Sequence, residues 1–236
     1  MKTPTLALAL VIGCAAYADP PPKQDLVENV KAAQHRMHVR FEATRRMQIA
    51  IGLGDLERAH AEAKIIDALV EPDFLPAWQS YVDQIRAAAR DVAATQDTVA
   101  AAKAAGKLGA ACARCHQALS AKLVFPTDPP PPADPRLASQ MFTHQWAATR
   151  MWEGLVAPDE PRWLQGARTL AGSRIAIAEG GPNTPHLGDD VSRMRLLATR
   201  AQQPADKQDR GALYGDLLGA CAHCHFVIRD GVKRSK

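Results

Sequence analysis

The residues with chemistry to offer lie in one short pattern that the chain contains twice: Cys112-Ala113-Arg114-Cys115-His116 and Cys221-Ala222-His223-Cys224-His225. Three residues along a helix bring two cysteines onto one face, and the next residue turns an imidazole toward the same region. Two thiols and a histidine so spaced form the attachment pattern of c-type haem, in which the thiols become thioethers and the histidine binds iron. Cys112, Cys115, Cys221 and Cys224 are therefore the expected attachment points for two covalent haems c, with His116 and His225 as proximal iron ligands. A single C-x-x-C also suits half a zinc site or a dithiol redox pair. Pooling four thiolates on zinc, however, gives no reason for a histidine to follow immediately in both places. The surroundings are also alike, with Leu108-Gly109-Ala110-Ala111 before the first motif and Leu218-Gly219-Ala220 before the second.

The elements that must position these groups read as helices. Leu26, Val30, Ala33, Met37, Phe41, Thr44, Gln48 and Ile51 recur at spacings of three and four, which predicts a long first helix ending near Gly52 and Gly54. Further helices are expected over about 55–70 and 77–95, and a fourth over 97–123 carries the first motif near its C-terminal end. The run Pro126 to Pro135 contains six prolines, which favour an extended, semi-rigid linker. After it the plan repeats: Leu137, Met141, His144, Ala148, Met151 or Trp152, and Leu155 mark one face, broken by Pro158 and Pro161. Helices over 163–178 and 189–202 follow, and one over about 206–227 carries the second motif. Met37 and Ile51 lie 104 residues before Met141 and Leu155, and the motif cysteines repeat after 109. Such register is the signature of an internal duplication. The expected fold is all-α: two tandem antiparallel four-helix bundles, over 25–125 and 136–236, joined by the linker 126–135, with one haem in each.

Composition and termini are consistent with that plan. Of 236 residues 47% are hydrophobic but only 5% aromatic, and the alanine that supplies much of this fraction favours helix. The net charge of +4 comes without a Lys/Arg block or aromatic-basic interleaving, so no nucleic-acid partner is expected. Residues 1–18 read as a secretory signal: Lys2, the apolar run Leu6 to Ile12, and the small-x-small site Ala16-Tyr17-Ala18. Residues 19–24 follow as a disordered leader. Export to the periplasm suits haem attachment, which takes place outside the bacterial cytoplasmic membrane. Val11-Ile12-Gly13-Cys14 also resembles a lipoprotein processing box. Cleavage before Cys14 with lipidation of that thiol is the alternative, and the one route by which a membrane enters this reading.

A four-helix bundle with C-x-x-C-H near the end of its last helix resembles the cytochrome c′ family and its low-spin relatives. The resemblance covers each half separately and rests on helix layout outside the motif; the tandem arrangement departs from the usual single bundle. It implies that a residue of the first helix faces each haem, either an apolar side chain that leaves iron five-coordinate or a methionine that binds it. The candidates are His35, Met37 and His38 in the first half and Met141 and His144 in the second. Met37 and Met141, equivalent in the repeat, are preferred as distal ligands, against the plainer reading of methionine as core packing. His35, His60 and His186 read as surface residues. Met47, Met151, Trp146, Trp152 and Trp163 read as packing.

The function expected is that of an exported dihaem c-type cytochrome that carries single electrons between redox partner proteins. The alternative is a five-coordinate protein that binds small gases such as nitric oxide or carbon monoxide. No distal acid/base constellation, phosphate loop or nucleotide fingerprint stands out, so an enzyme is not expected.

Overall fold

The computed structural model describes residues 23–69, 76–175, 187–204 and 209–234. Residues 1–22, where the signal segment, Cys14 and the leader were expected, and His186 lie outside them. Eight helices follow one another: α1 (Lys23–Gly52), α2 (Leu56–Ala68), α3 (Pro76–Ala93), α4 (Thr98–Ala118), α5 (Leu137–Val156), α6 (Glu160–Ala171), α7 (Leu187–Arg200) and α8 (Arg210–Arg234). The described residues contain no strand, and none of their helices is long and apolar enough to cross a membrane.

Local chemistry sets the helix ends. Asp55, Asp97 and Asp159 precede α2, α4 and α6, and each side chain accepts a hydrogen bond from the backbone N–H three residues on. Helix α4 stops at Ala118 rather than running to 123, because Ser120 takes a positive φ of 51° and reverses the chain. Helix α6 starts at Glu160, ahead of the expected 163, since Pro161 falls in the first turn, where its missing N–H costs nothing. Helix α8 continues to Arg234, beyond the expected 227.

Packing does not stop at the proline-rich segment. Most of the buried apolar residues, from Ala43 in α1 to Ala222 in α8, form one hydrophobic cluster. Its most extensive helix pair is α4 against α8, the two helices that carry the motifs. These approach closely because their contact is made of glycine and alanine. A Cβ on Gly106 would overlap the Gly211 carbonyl, and one on Gly215 would lie 3.0 Å from that of Ala102. Shifting by 109 residues turns Gly106 into Gly215 and Ala102 into Gly211, so the two contacts exchange, as in an isologous dimer interface. Helices α1 and α5 follow the same rule, each packing on both α4 and α8.

The proline-rich segment is anchored to the second half. Arg150 Nη1 donates to the Pro126 carbonyl at 2.9 Å and Nη2 to Asp128 at 3.1 Å. Arg162 also reaches Pro126, at 3.3 Å.

Candidate functional site

The two motifs occupy the last turns of α4 and the middle of α8, where helical spacing sets each pair of cysteines on one side. All four thiols are free of disulfides; Cys115 is buried and the others half-buried. Burial pushes the Cys112 and Cys221 thiols up to about 12 and Cys224 up to about 11, with further contributions from Cys115, Cys224 and Asp190 respectively. Such thiols stay protonated at neutral pH, unlike the acidic thiolate of a dithiol oxidoreductase. Among the described residues no group of three or more His, Cys, Asp or Glu is gathered to hold a metal ion.

The histidines are held in a matched way. His116 Nδ1 lies 2.7 Å from the carbonyl oxygen of Val156, at the end of α5. The His225 ring bonds the carbonyl of Gly52, at the end of α1. Gly52 and Val156 are 104 residues apart, the offset that relates Met37 to Met141. Each histidine is therefore positioned by the first helix of the opposite half. A carbonyl that accepts one ring N–H leaves the other nitrogen with its lone pair, the tautomer a metal-binding imidazole needs. Burial lowers the pKa of both rings, while the carbonyls act the other way. Neither Gly52 nor Val156 carries a sequence signal for this role, since it is performed by the backbone.

A cavity of about 340 Å³ opens beside Cys221, Cys224 and His225. Its wall is mainly apolar, and Met141, Phe142 and His144 of α5 and Met194 of α7 contribute to it. His144 shares a short hydrogen bond between Nε2 and Ser173 Oγ. Burial, followed by the nearby His225, pulls its pKa down to about 4. The structure thus brings Met141 and His144 to the second motif together. Two polar atoms add to the fit. Gln48, on the wall of this cavity, accepts from the Tyr214 hydroxyl through Oε1, while its buried Nε2 has no partner among the described residues. Trp152, 104 residues later, packs against Gly109 one turn before Cys112, and its buried Nε1 is likewise unpartnered among them. Orphaned buried donors are rare and costly. Here both fall at equivalent positions beside the motifs, as acceptor-bearing ligands would require.

The first site differs. Met37 is half-buried, with its sulfur 3.8 Å from Arg40 Nη1. Arg40 is buried, donates to the Leu69 carbonyl at 2.6 Å, and lies near enough to Cys112 to bias its thiol downward. His35 and His38 are exposed. His60 is half-buried rather than on the surface, its Nε2 3.2 Å from Thr95 Oγ1. Met47, Met151, Trp152 and Trp163 are fully buried in the core, and Trp146 is half-buried.

Sequence reasoning missed Asp190 of α7, whose two carboxylate oxygens both lie 2.9 Å from His223 Nδ1, and Gln48 as a cavity residue. A carboxylate in the first turn of α7 reads by itself as an ordinary helix-start residue. No protein-family model, curated protein or solved structure matches the chain.

Proposed function

We propose that the protein is an exported dihaem c-type cytochrome that carries single electrons between partner proteins. It is built as two four-helix units that resemble the cytochrome c′ family. One observation carries the reading: each of the two C-x-x-C-H motifs has a histidine whose ring is held by the backbone carbonyl ending the opposite half's first helix. Cys112 with Cys115, and Cys221 with Cys224, would hold the two groups, with His116 and His225 on iron. When bound, haem supplies a one-electron iron couple. The chain fixes the tautomer of the two histidines, surrounds the second site with apolar side chains, and offers Gln48 Nε2 and Trp152 Nε1 as donors to a carboxylate. Covalent attachment belongs to the periplasm, where the segment 1–18 would direct the chain.

The test is the mass of the purified protein together with its reduced absorption spectrum in alkaline pyridine. Two thioether-bound haems per chain are expected. Cys112→Ser should weaken attachment in the first half alone and Cys224→Ser in the second alone. A chain that carries no covalent haem would sink the reading.

A second reading, binding of a small gas, draws on the apolar cavity beside His225, whose wall includes Met141 and a His144 already engaged with Ser173. Carbon monoxide added to the reduced protein separates the two: an unchanged spectrum supports the carrier, and a shifted one the gas binder.

A further inference from the structure

We propose that the run Pro126 to Pro135 is a docking ligand, a polyproline II segment whose stripe of four prolines is read by a partner protein with an aromatic-lined groove. Nothing in it depends on the two motifs or on haem. Pro126, Pro129, Pro132 and Pro135 recur at every third residue. A polyproline II helix turns once in three residues, so the four rings fall on one face, over about 28 Å. The sequence dictates that conformation: proline fixes its own φ, and each residue before a proline is driven out of the helical region. Residues 121–135 accordingly form neither helix nor strand.

All four prolines of the stripe are exposed, and so is Pro130. The adjacent register, 128, 131 and 134, makes the contacts with the body. The Asp128 carbonyl accepts from Trp146 Nε1 at 3.3 Å, and its carboxylate accepts from Arg150 Nη2 at 3.1 Å. Pro131 is half-buried, and the Asp134 carboxylate accepts from the Arg136 backbone N–H at 2.8 Å and from Ser139 Oγ at 3.0 Å. The Pro135 carbonyl accepts from Gln140 Nε2 at 3.0 Å. These bonds hold the prolines in place before a partner arrives, which lowers the ordering cost of binding.

Charge and shape define the partner. Asp128 is paired with Arg150 and Asp134 with Arg136, so the exposed stripe offers pyrrolidine rings and carbonyl oxygens rather than an unmatched acid. A charged groove has nothing there to pair with. Flat aromatic rings pack against pyrrolidine, and a tryptophan or tyrosine among them donates to the carbonyls. Apolar side chains extend the surface past both ends: Val124 is 93% exposed and Leu137 57%. A chain that only had to bridge α4 and α5 would need neither the three-residue repeat nor these exposed apolar neighbours.

The experiment titrates the full-length protein into an isotope-labelled SH3 domain, with a labelled WW domain as a second probe of the same groove chemistry. Amide resonances of the probe's aromatic groove should shift saturably. Replacing Pro129 and Pro132 together with alanine should weaken binding by about ten-fold or more, whereas Pro130→Ala, a proline lost from beside the stripe, should change it by less than about three-fold. All variants should keep the circular dichroism of the unaltered protein, since the replaced rings are exposed. Absence of binding to both probes at about 1 mM protein would overturn the proposal. Shifts outside the groove, or equal losses from Pro130→Ala, would do the same. A mass that rises with concentration and returns to that of the monomer in the Pro129 and Pro132 variant would also overturn it, because a second copy would then be the occupant. Haem content separates this proposal from the carrier reading: a chain without covalent haem that still binds the probes sinks that reading alone, and a dihaem chain that binds neither probe sinks this proposal alone.

Discussion

Glu153 is a buried carboxylate held between two arginines. It is 7% exposed and lies 2.9 Å from Arg150 Nη1 and 2.7 Å from Arg162 Nη1, and Arg150 is itself only 4% exposed. Replacing both partners of such an arrangement with apolar groups is often tolerated, but removing one leaves a buried charge without compensation. Glu153→Gln should therefore cost about 3 kcal/mol of unfolding free energy, read from urea denaturation. Arg150 would then depend on Asp128, which is 68% exposed and so a weak substitute. At this scale the motif residues were legible in the sequence because their chemistry needs only contiguous spacing. Gly52, Val156 and Asp190 were not, because they act across distance in the chain: Val156 is 40 residues from His116, and Asp190 is 33 from His223. A backbone carbonyl has no side-chain identity to read.

Among the elements, the crossing of α4 and α8 depends on what is missing from it. Gly106 and Gly215, equivalent under the 109-residue shift, let the two backbones approach until a Cβ on Gly106 would overlap a carbonyl. The obstructing atom is backbone rather than the end of a flexible side chain, so the helices must separate to admit a side chain. Gly106→Val should destabilise the fold by about 3 kcal/mol, measured by thermal or denaturant unfolding. Gly188 is the contrasting position, since a Cβ added there would meet nothing within 4 Å; Gly188→Ala should leave stability nearly unchanged or improve it by a few tenths of a kcal/mol. Periodicity, a local signal, located the helices, but their ends only to within about seven residues: α6 stops at Ala171 against an expected 178, and α8 runs on to Arg234. The misplaced ends have local causes of another kind. A single left-handed Ser120 closes α4 early, and no residue type forces that conformation. The duplication also conceals a packing difference: Tyr214, packed against Trp152 with centroids 5.4 Å apart and rings tilted by 46°, stands where the first half has Ala105.

For the whole molecule, a repeat offset says that two segments share a plan, but not whether they pack side by side or interleave. Apolar faces on α1 and α5 were readable, yet a face does not name its partner, and here each face covers both motif helices. The consequence is that the two halves share one core, His116 leaning on α5 and His225 on α1. The proline-rich run is therefore a connection rather than a division, and covalent continuity through it should matter little once the chain has folded. A protease site inserted between Pro131 and Pro132, both outside the anchors at Pro126 and Asp128, tests this directly. After cleavage the two fragments should elute together under native conditions and unfold in a single transition, with a midpoint that now depends on protein concentration because the linked unit has become a bimolecular one. Two separate species, or two concentration-independent transitions, would mean that each half is stable alone and that the contacts of α1 with α8 and of α5 with α4 contribute little. A single transition would tie the two C-x-x-C-H motifs to one cooperative unit, so that loss of the helix supporting either motif loosens the histidine of the other.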